Sequence, residues 1–212
     1  MKHIFYFLIF TAITIMDVNG QKSNFSQLLI GVNQGVTFSQ LDFGIITNQS
    51  LYQGYQGGLF LTYLSGPGIG VQLECNYAQK GWKIQPDSTE SYSRKLNYVE
   101  IPFMTHIVVG KRKSRLVIDL GPYVSFLHSE KEKTNITDTV IDYIGYHADR
   151  DFEFGYCVGL GYQYTTKAGH FGFHVRYNNS LTNIFTPSSE MQYFASRNQS
   201  LSICLKYSVR IL

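Results

Sequence analysis

Charge is scarce in this chain. Asp, Glu, Lys and Arg make up 16% of its 212 residues, against about a quarter in an average soluble domain. A disordered chain is charge-rich and aromatic-poor, so that class is excluded. A nucleic-acid binder carries a larger and more clustered basic excess than the net +3 found here. Cysteine is sparse and odd in number. Cys75, Cys157 and Cys204 form no even, spaced set of the kind that staples disulfide-dependent exported domains, and their spacing matches no metal site. They read as small fillers inside strands. Long apolar runs are few as well. The longest, residues 4–16, is too short for a bilayer that needs ~20 residues. No later stretch approaches 18 apolar residues, so no transmembrane helix is expected in the rest of the chain. Sustained helical periodicity is absent, and a coiled coil would need far more Ala, Glu, Lys and Leu. What the chain has instead is 16 Tyr, 15 Phe and 19 Gly, with only one Trp and five Pro. That balance points to β-structure with a large apolar surface.

Residues 1–20 read as a secretory signal peptide. Lys2 and His3 precede the apolar run. Asp17-Val18-Asn19-Gly20 then closes it with compact residues ahead of Gln21. No cysteine follows the run to carry a lipid anchor. The expected division is therefore a cleaved signal peptide at 1–20 and one β-barrel domain at 21–212.

Eight segments alternate apolar and polar residues with period two, the signature of strands. They lie at about 27–38, 54–64, 69–80, 94–109, 115–127, 151–164, 170–178 and 199–211. Residues 65–68, 110–114 and 165–169 are tight turns rich in Gly, Pro and Ser or Lys. Residues 39–53, 81–93, 128–150 and 179–198 are long polar loops. Long and short connections therefore alternate, which puts all long loops at one end of the strands and all turns at the other. An eight-stranded, antiparallel, up-and-down transmembrane β-barrel of the outer membrane has this layout.

The strand faces agree. Phe152, Phe154, Tyr156, Val158, Leu160, Tyr162 and Tyr164 oppose Glu153, Gly155, Cys157, Gly159, Gly161 and Gln163. Leu201, Ile203, Leu205, Tyr207 and Val209 oppose Ser200, Ser202, Cys204, Lys206, Ser208 and Arg210. A soluble lipocalin-like ligand-binding barrel also alternates. Three features favour the apolar face pointing outward. The polar face is rich in small residues, as a crowded lumen requires. Tyr77, Tyr164 and Tyr177 sit near strand ends, as in an aromatic girdle. The strand charges nearly cancel, as enclosed charges must. Pro102 and Pro122 each remove a ladder donor at nearly the same level of neighbouring strands, so a local bulge or shift in pairing is expected there.

Several stretches carry a family resemblance. They are Gly31-Val32-Asn33-Gln34-Gly35-Val36-Thr37-Phe38-Ser39, Asn76-Tyr77-Ala78-Gln79-Lys80-Gly81, Gly121-Pro122-Tyr123 and Gly159-Leu160-Gly161-Tyr162. The most specific are Leu96-Asn97-Tyr98-Val99-Glu100-Ile101-Pro102 and Arg176-Tyr177-Asn178-Asn179-Ser180-Leu181-Thr182-Asn183-Ile184. The pattern resembles the Bacteroidetes outer membrane protein β-barrel domain family, also called PorT-like or porin-family proteins. The resemblance implies an eight-stranded outer-membrane barrel. It also implies, as an alternative role, a subunit of the type IX secretion machinery.

The ionisable residues on strands are Glu74, Lys80, Glu100, His106, Arg115, Asp119, Glu153, His174, Arg176, Lys206 and Arg210. An eight-stranded barrel has a lumen about wide enough for side chains to fill. The set is therefore expected to pack as an ion-pair network rather than line a selective pore. His128, Glu130, Glu132, Asp138, Asp142, His147, Asp149 and Asp151 show no ligand spacing, and read as a solvated loop. The loop 179–198 holds Leu181, Ile184, Phe185, Met191, Tyr193 and Phe194. It is expected to form a lid over the barrel mouth or a contact for another envelope protein. The sequence thus points to an exported, non-catalytic protein with a structural, binding or narrow transport role. Outer-membrane lipid is the expected partner. Neither cofactor, metal nor nucleic acid is expected.

Overall fold

The computed structural model describes residues 26–42, 49–84, 92–110, 112–135, 150–185 and 196–211. The expected signal peptide at 1–20 lies outside the described residues. The eight strands are β1 (Gln27–Asp42), β2 (Gln49–Leu64), β3 (Ile69–Ile84), β4 (Tyr92–Val109), β5 (Ser114–Thr134), β6 (Phe152–Thr166), β7 (Gly169–Ser180) and β8 (Arg197–Arg210). Each pairs antiparallel with its sequence neighbour, and β8 returns to β1, so the barrel is closed. No helix among the described residues is long and apolar enough to cross a membrane, but these strands need none.

All eight strands fall where alternation places them, and most run further toward the loop end. Residues 39–42, 49–53, 81–84, 92–93 and 128–134, expected in or beside loops, extend the ladders. Their polar character is that of loops. Once hairpins leave the membrane, however, polar residues on both faces cost nothing. The β4–β5 ladder goes furthest. Residues 127–134 of β5 continue past Phe126, the last residue paired with β6, and stay paired with β4 up to Tyr92–Thr134.

The two prolines behave differently from expectation. Pairing of β4 with β5 keeps one register from Pro102–Tyr123 to Thr105–Leu120, so no shift accompanies Pro102 or Pro122. The ladder loses pairs there without gaining a residue. The bulge lies higher, where Asn97 pairs with Ser129 but Tyr98 pairs with Leu127. His128 is the extra residue. It reverses the parity of β5 above it and turns Glu130 to the side that carries Arg94.

The faces sort as the patterning requires. Leu59, Leu160 and Leu205 point outward and are 60–61% exposed, within a band that includes Ile69, Leu116, Phe154 and Phe171. Inward positions are filled. Gly35 marks how tightly: a Cβ there would overlap the carbonyl oxygen of Ile203 on β8.

Candidate functional site

The interior is layered along the barrel axis. At the turn end, Leu29, Leu64 and Val108 form a buried apolar cluster. At the loop end, Leu41, Trp82, Ile84, Tyr92, Leu96, Tyr98, Ile184 and Phe185 form a larger one. Charged groups lie between, in three nodes.

The first node is Glu74 on β3. Arg176 on β7 donates to it from both terminal nitrogens, at 2.8 and 2.6 Å. Lys206 on β8 donates at 2.8 Å. Gln72 and Asn76 flank it on its own strand and donate at 2.6 and 2.7 Å. The carboxylate is 1% exposed. So dense a set of donors is what makes a buried charge tolerable.

The second node is Lys80, six residues further along β3 toward the loops. It meets Glu100 at 2.7 Å and Glu153 at 3.0 Å. Asn178 donates to Glu100 at 2.9 Å. Tyr123 and Asn198 donate to Glu153 at 2.6 and 2.7 Å. The rings of Tyr98 and Tyr123 lie 5.2 and 4.9 Å from the Lys80 ammonium. Each aromatic face adds attraction for the buried cation.

The third node is Asp119 on β5. It meets His106 Nδ1 at 2.7 Å, His174 Nδ1 at 3.5 Å and Lys206 at 3.8 Å. Lys206 thereby links this node to the first. Across these three nodes, four buried carboxylates face three permanent cations and two imidazoles. The set stays neutral to within one charge whether or not the imidazoles carry a proton. A cavity of about 20 Å³ remains between His106, His174, Lys206 and Gln72. It has room for about one water molecule.

Nine of the eleven strand charges singled out from the sequence therefore meet inside the barrel. Arg115 and Arg210 do not. Both sit at the turn-end rim, with Arg210 exposed and Arg115 partly so. Their alternation places them on the inward face, but Arg115 lies one inward position past Val117, the partner of Val108, and Arg210 pairs with Leu29 at the turn-end edge. A further pair was missed. Arg94 binds Glu130 and lies 5.6 Å from the Trp82 ring and 5.2 Å from that of Phe185. Arg94 has the parity of Glu100 and could have been read from it. Glu130 could not, because the His128 bulge breaks the alternation.

The loop that follows β7 splits its duties. Ile184 and Phe185 fold inward, held by hydrogen bonds from their amides to the Ser196 carbonyl oxygen and Oγ at 2.8 and 3.0 Å. They act as a lid. Residues 186–195, with Met191, Tyr193 and Phe194, lie outside the described residues, as do Asp138, Asp142, His147 and Asp149.

A closed barrel of eight strands with an apolar exterior and a charged, packed interior is the architecture of small outer-membrane proteins. The sequence profile of the outer membrane protein beta-barrel domain matches residues 19–186. The chain belongs to that family. This outer-membrane barrel is similar to solved structures at low identity. They include OprG from Pseudomonas aeruginosa, with 13% identity, 87% of this chain and 95% of that chain covered, and a TM-score of 0.48. Ail of Yersinia pestis follows with 12% identity, coverage of 87% and 97%, and a TM-score of 0.40. Neisserial surface protein A gives 11% identity, coverage of 85% and 96%, and a TM-score of 0.43. No curated protein matches the chain. Family membership places the barrel in the outer membrane, and the exposed apolar band is what lipid requires. A soluble ligand-binding barrel would carry that band inside.

Proposed function

We propose that this outer-membrane barrel is a sealed, non-conducting and non-catalytic scaffold that holds its loop-end hairpins outside the membrane. The contact between Arg176 and Glu74 carries the reading. β3 and β7 are four strands apart by either route around the barrel, so this pair spans its diameter. Apolar clusters above and below add a second and third closure. The loop-end part of the β4–β5 ladder, which extends past the β5–β6 ladder, is the part best placed to bind something beyond the membrane.

Within its family, the barrel is proposed to belong to the Bacteroidetes, PorT-like branch. Two stretches support this. Leu96-Asn97-Tyr98-Val99-Glu100-Ile101-Pro102 supplies Glu100 to the Lys80 node and Tyr98 to the loop-end cluster. The stretch from Arg176 to Ile184 supplies the diametric cation and part of the lid. The most family-specific residues are thus those that close the lumen.

Planar-bilayer recording tests the scaffold reading. The purified barrel should insert without stable single-channel steps. Reproducible steps of uniform conductance would overturn the sealed interior.

A further inference from the structure

Arg115 and Arg210, the two strand cations outside the lumen network, lie at the turn end. Arg115, Lys167 and His170, with Arg210 and Gln27, surround a pocket of about 430 Å³. That is within the size range of small-molecule sites. Among the described residues that line it there is no carboxylate. Arg115 donates from Nε to the carbonyl oxygen of Arg112 at 3.3 Å. Among the described residues, neither Arg115 nor Lys167 has a carboxylate partner. Arg112 and Lys113 lie in the turn beside them, adding to the positive field.

The depth of this pocket is fixed by its neighbours. Tyr63, Tyr162, Tyr164 and Tyr207 are exposed at the turn end of their strands. Tyrosines in such a ring sit at the headgroup level. Two of them are tied to the turns, Tyr207 to the carbonyl oxygen of Ala168 at 2.6 Å and Tyr162 to Ser114 at 2.9 Å. Leu116, next to Arg115, faces outward and is 53% exposed. The pocket also includes Val209, whose side chain is on the lipid side of β8. It therefore straddles the rim, with apolar wall outside and cations inside.

We infer that this rim pocket binds a phosphate-bearing anion, supplied by the headgroup of an anionic phospholipid in the leaflet that meets the turns. The acyl chains lie along the Val209 side, and the phosphodiester turns over the rim toward Arg115 and Lys167. The site is separate from the sealed lumen and does not depend on whether the lumen conducts.

Native mass spectrometry of the barrel released from nanodiscs of mixed phosphatidylglycerol and phosphatidylcholine tests it. The barrel should retain phosphatidylglycerol in preference. The double variant Arg115→Gln/Lys167→Gln should retain it about 30-fold more weakly, each cation being worth about a factor of five at an anionic surface. Heat-dependent migration on gels checks that the variant is folded. Lys131→Gln/Lys133→Gln, at the loop end, should retain it as the parent does. Equal retention by parent and rim variant overturns the site. Full displacement of the lipid by inorganic phosphate overturns the lipid as source and assigns the pocket to a free anion. Binding of a polyglutamate peptide with no phosphatidylglycerol retained overturns the phosphate assignment.

Discussion

Arg176 grips Glu74 with two parallel hydrogen bonds across the full width of the barrel, although 102 residues separate them in the chain. The pair is buried with Lys206, so it cannot be broken cleanly. Removing the carboxylate leaves two buried cations with less compensating charge, Lys206 keeping its 3.8 Å contact with Asp119.

Glu74→Gln should therefore destabilise the folded barrel by about 3–5 kcal/mol, the cost of stranding a buried partner. Replacing both groups, as Glu74→Leu with Arg176→Met, should cost less than the sum of the two single changes. Urea unfolding of the refolded barrel, read as a double-mutant cycle, checks this. Additive losses would mean that Arg176 and Glu74 do not act as a pair.

The lid offers its own probe. Trp82 is the single tryptophan of the chain. It is fully buried, and the Phe185 ring meets it edge-on at 6.2 Å. Its emission should be blue-shifted and poorly quenched by acrylamide. Phe185→Ala should open the lid and shift the emission to the red with stronger quenching, while the barrel still migrates as a folded species. Truncating a buried Phe costs about 3–5 kcal/mol in a closed core. At a barrel mouth the loss should fall mainly on the lid. Unchanged quenching would place Phe185 elsewhere.

Strand number, order and facing were legible because lipid and lumen demand opposite chemistry from alternate residues. Leu160 and Glu153 could not exchange faces without a charge entering lipid. Glu74, Lys80, Glu100 and Arg176 were legible as interior residues for the same reason. Their partners were not. Alternation fixes which way a side chain points, but the contact between β3 and β7 depends on barrel radius and stagger, which only closure sets. Glu130 was hidden by one unpaired residue, His128, which changes parity without leaving a Gly or Pro signal. The turn-end seal was hidden too, since Leu29, Leu64 and Val108 are apolar residues on the nominally polar face.

Closure of the barrel rests on the seam between β1 and β8. Gly35 faces Cys204 there. A methyl group at Gly35 would meet the Ile203 carbonyl oxygen and lie 2.7 Å from the Cys204 Cα. Backbone cannot yield as a flexible side chain does. Gly35→Ala should cost about 1–3 kcal/mol, the usual range for overpacking. The fraction of heat-modifiable, folded barrel after refolding should fall accordingly. Gly66→Ala is the matched control, because nothing lies within 4 Å of a Cβ at that turn. Equal refolding yields for the two variants would mean that the seam is looser than its geometry implies.

The outward band can be tested at its middle. Leu160 is 60% exposed, on a strand whose ends lie at Phe152 and Thr166. It pairs across with Ile118 on one side and Val175 on the other, so its neighbours are apolar in both directions. In water, a surface Leu→Arg change is worth within about 0.5 kcal/mol of nothing. In lipid the guanidinium must either enter hydrocarbon or drag water inward. At the midplane of a barrel that costs about 2–4 kcal/mol. Leu160→Arg should therefore lower stability by that amount when unfolding is measured in bilayers. Leu61→Arg, nearer the turn end, should cost less, because its side chain can reach the headgroups. A depth-dependent penalty of this form identifies the medium around the barrel. Equal, negligible losses at both positions would mean that the apolar band does not face lipid.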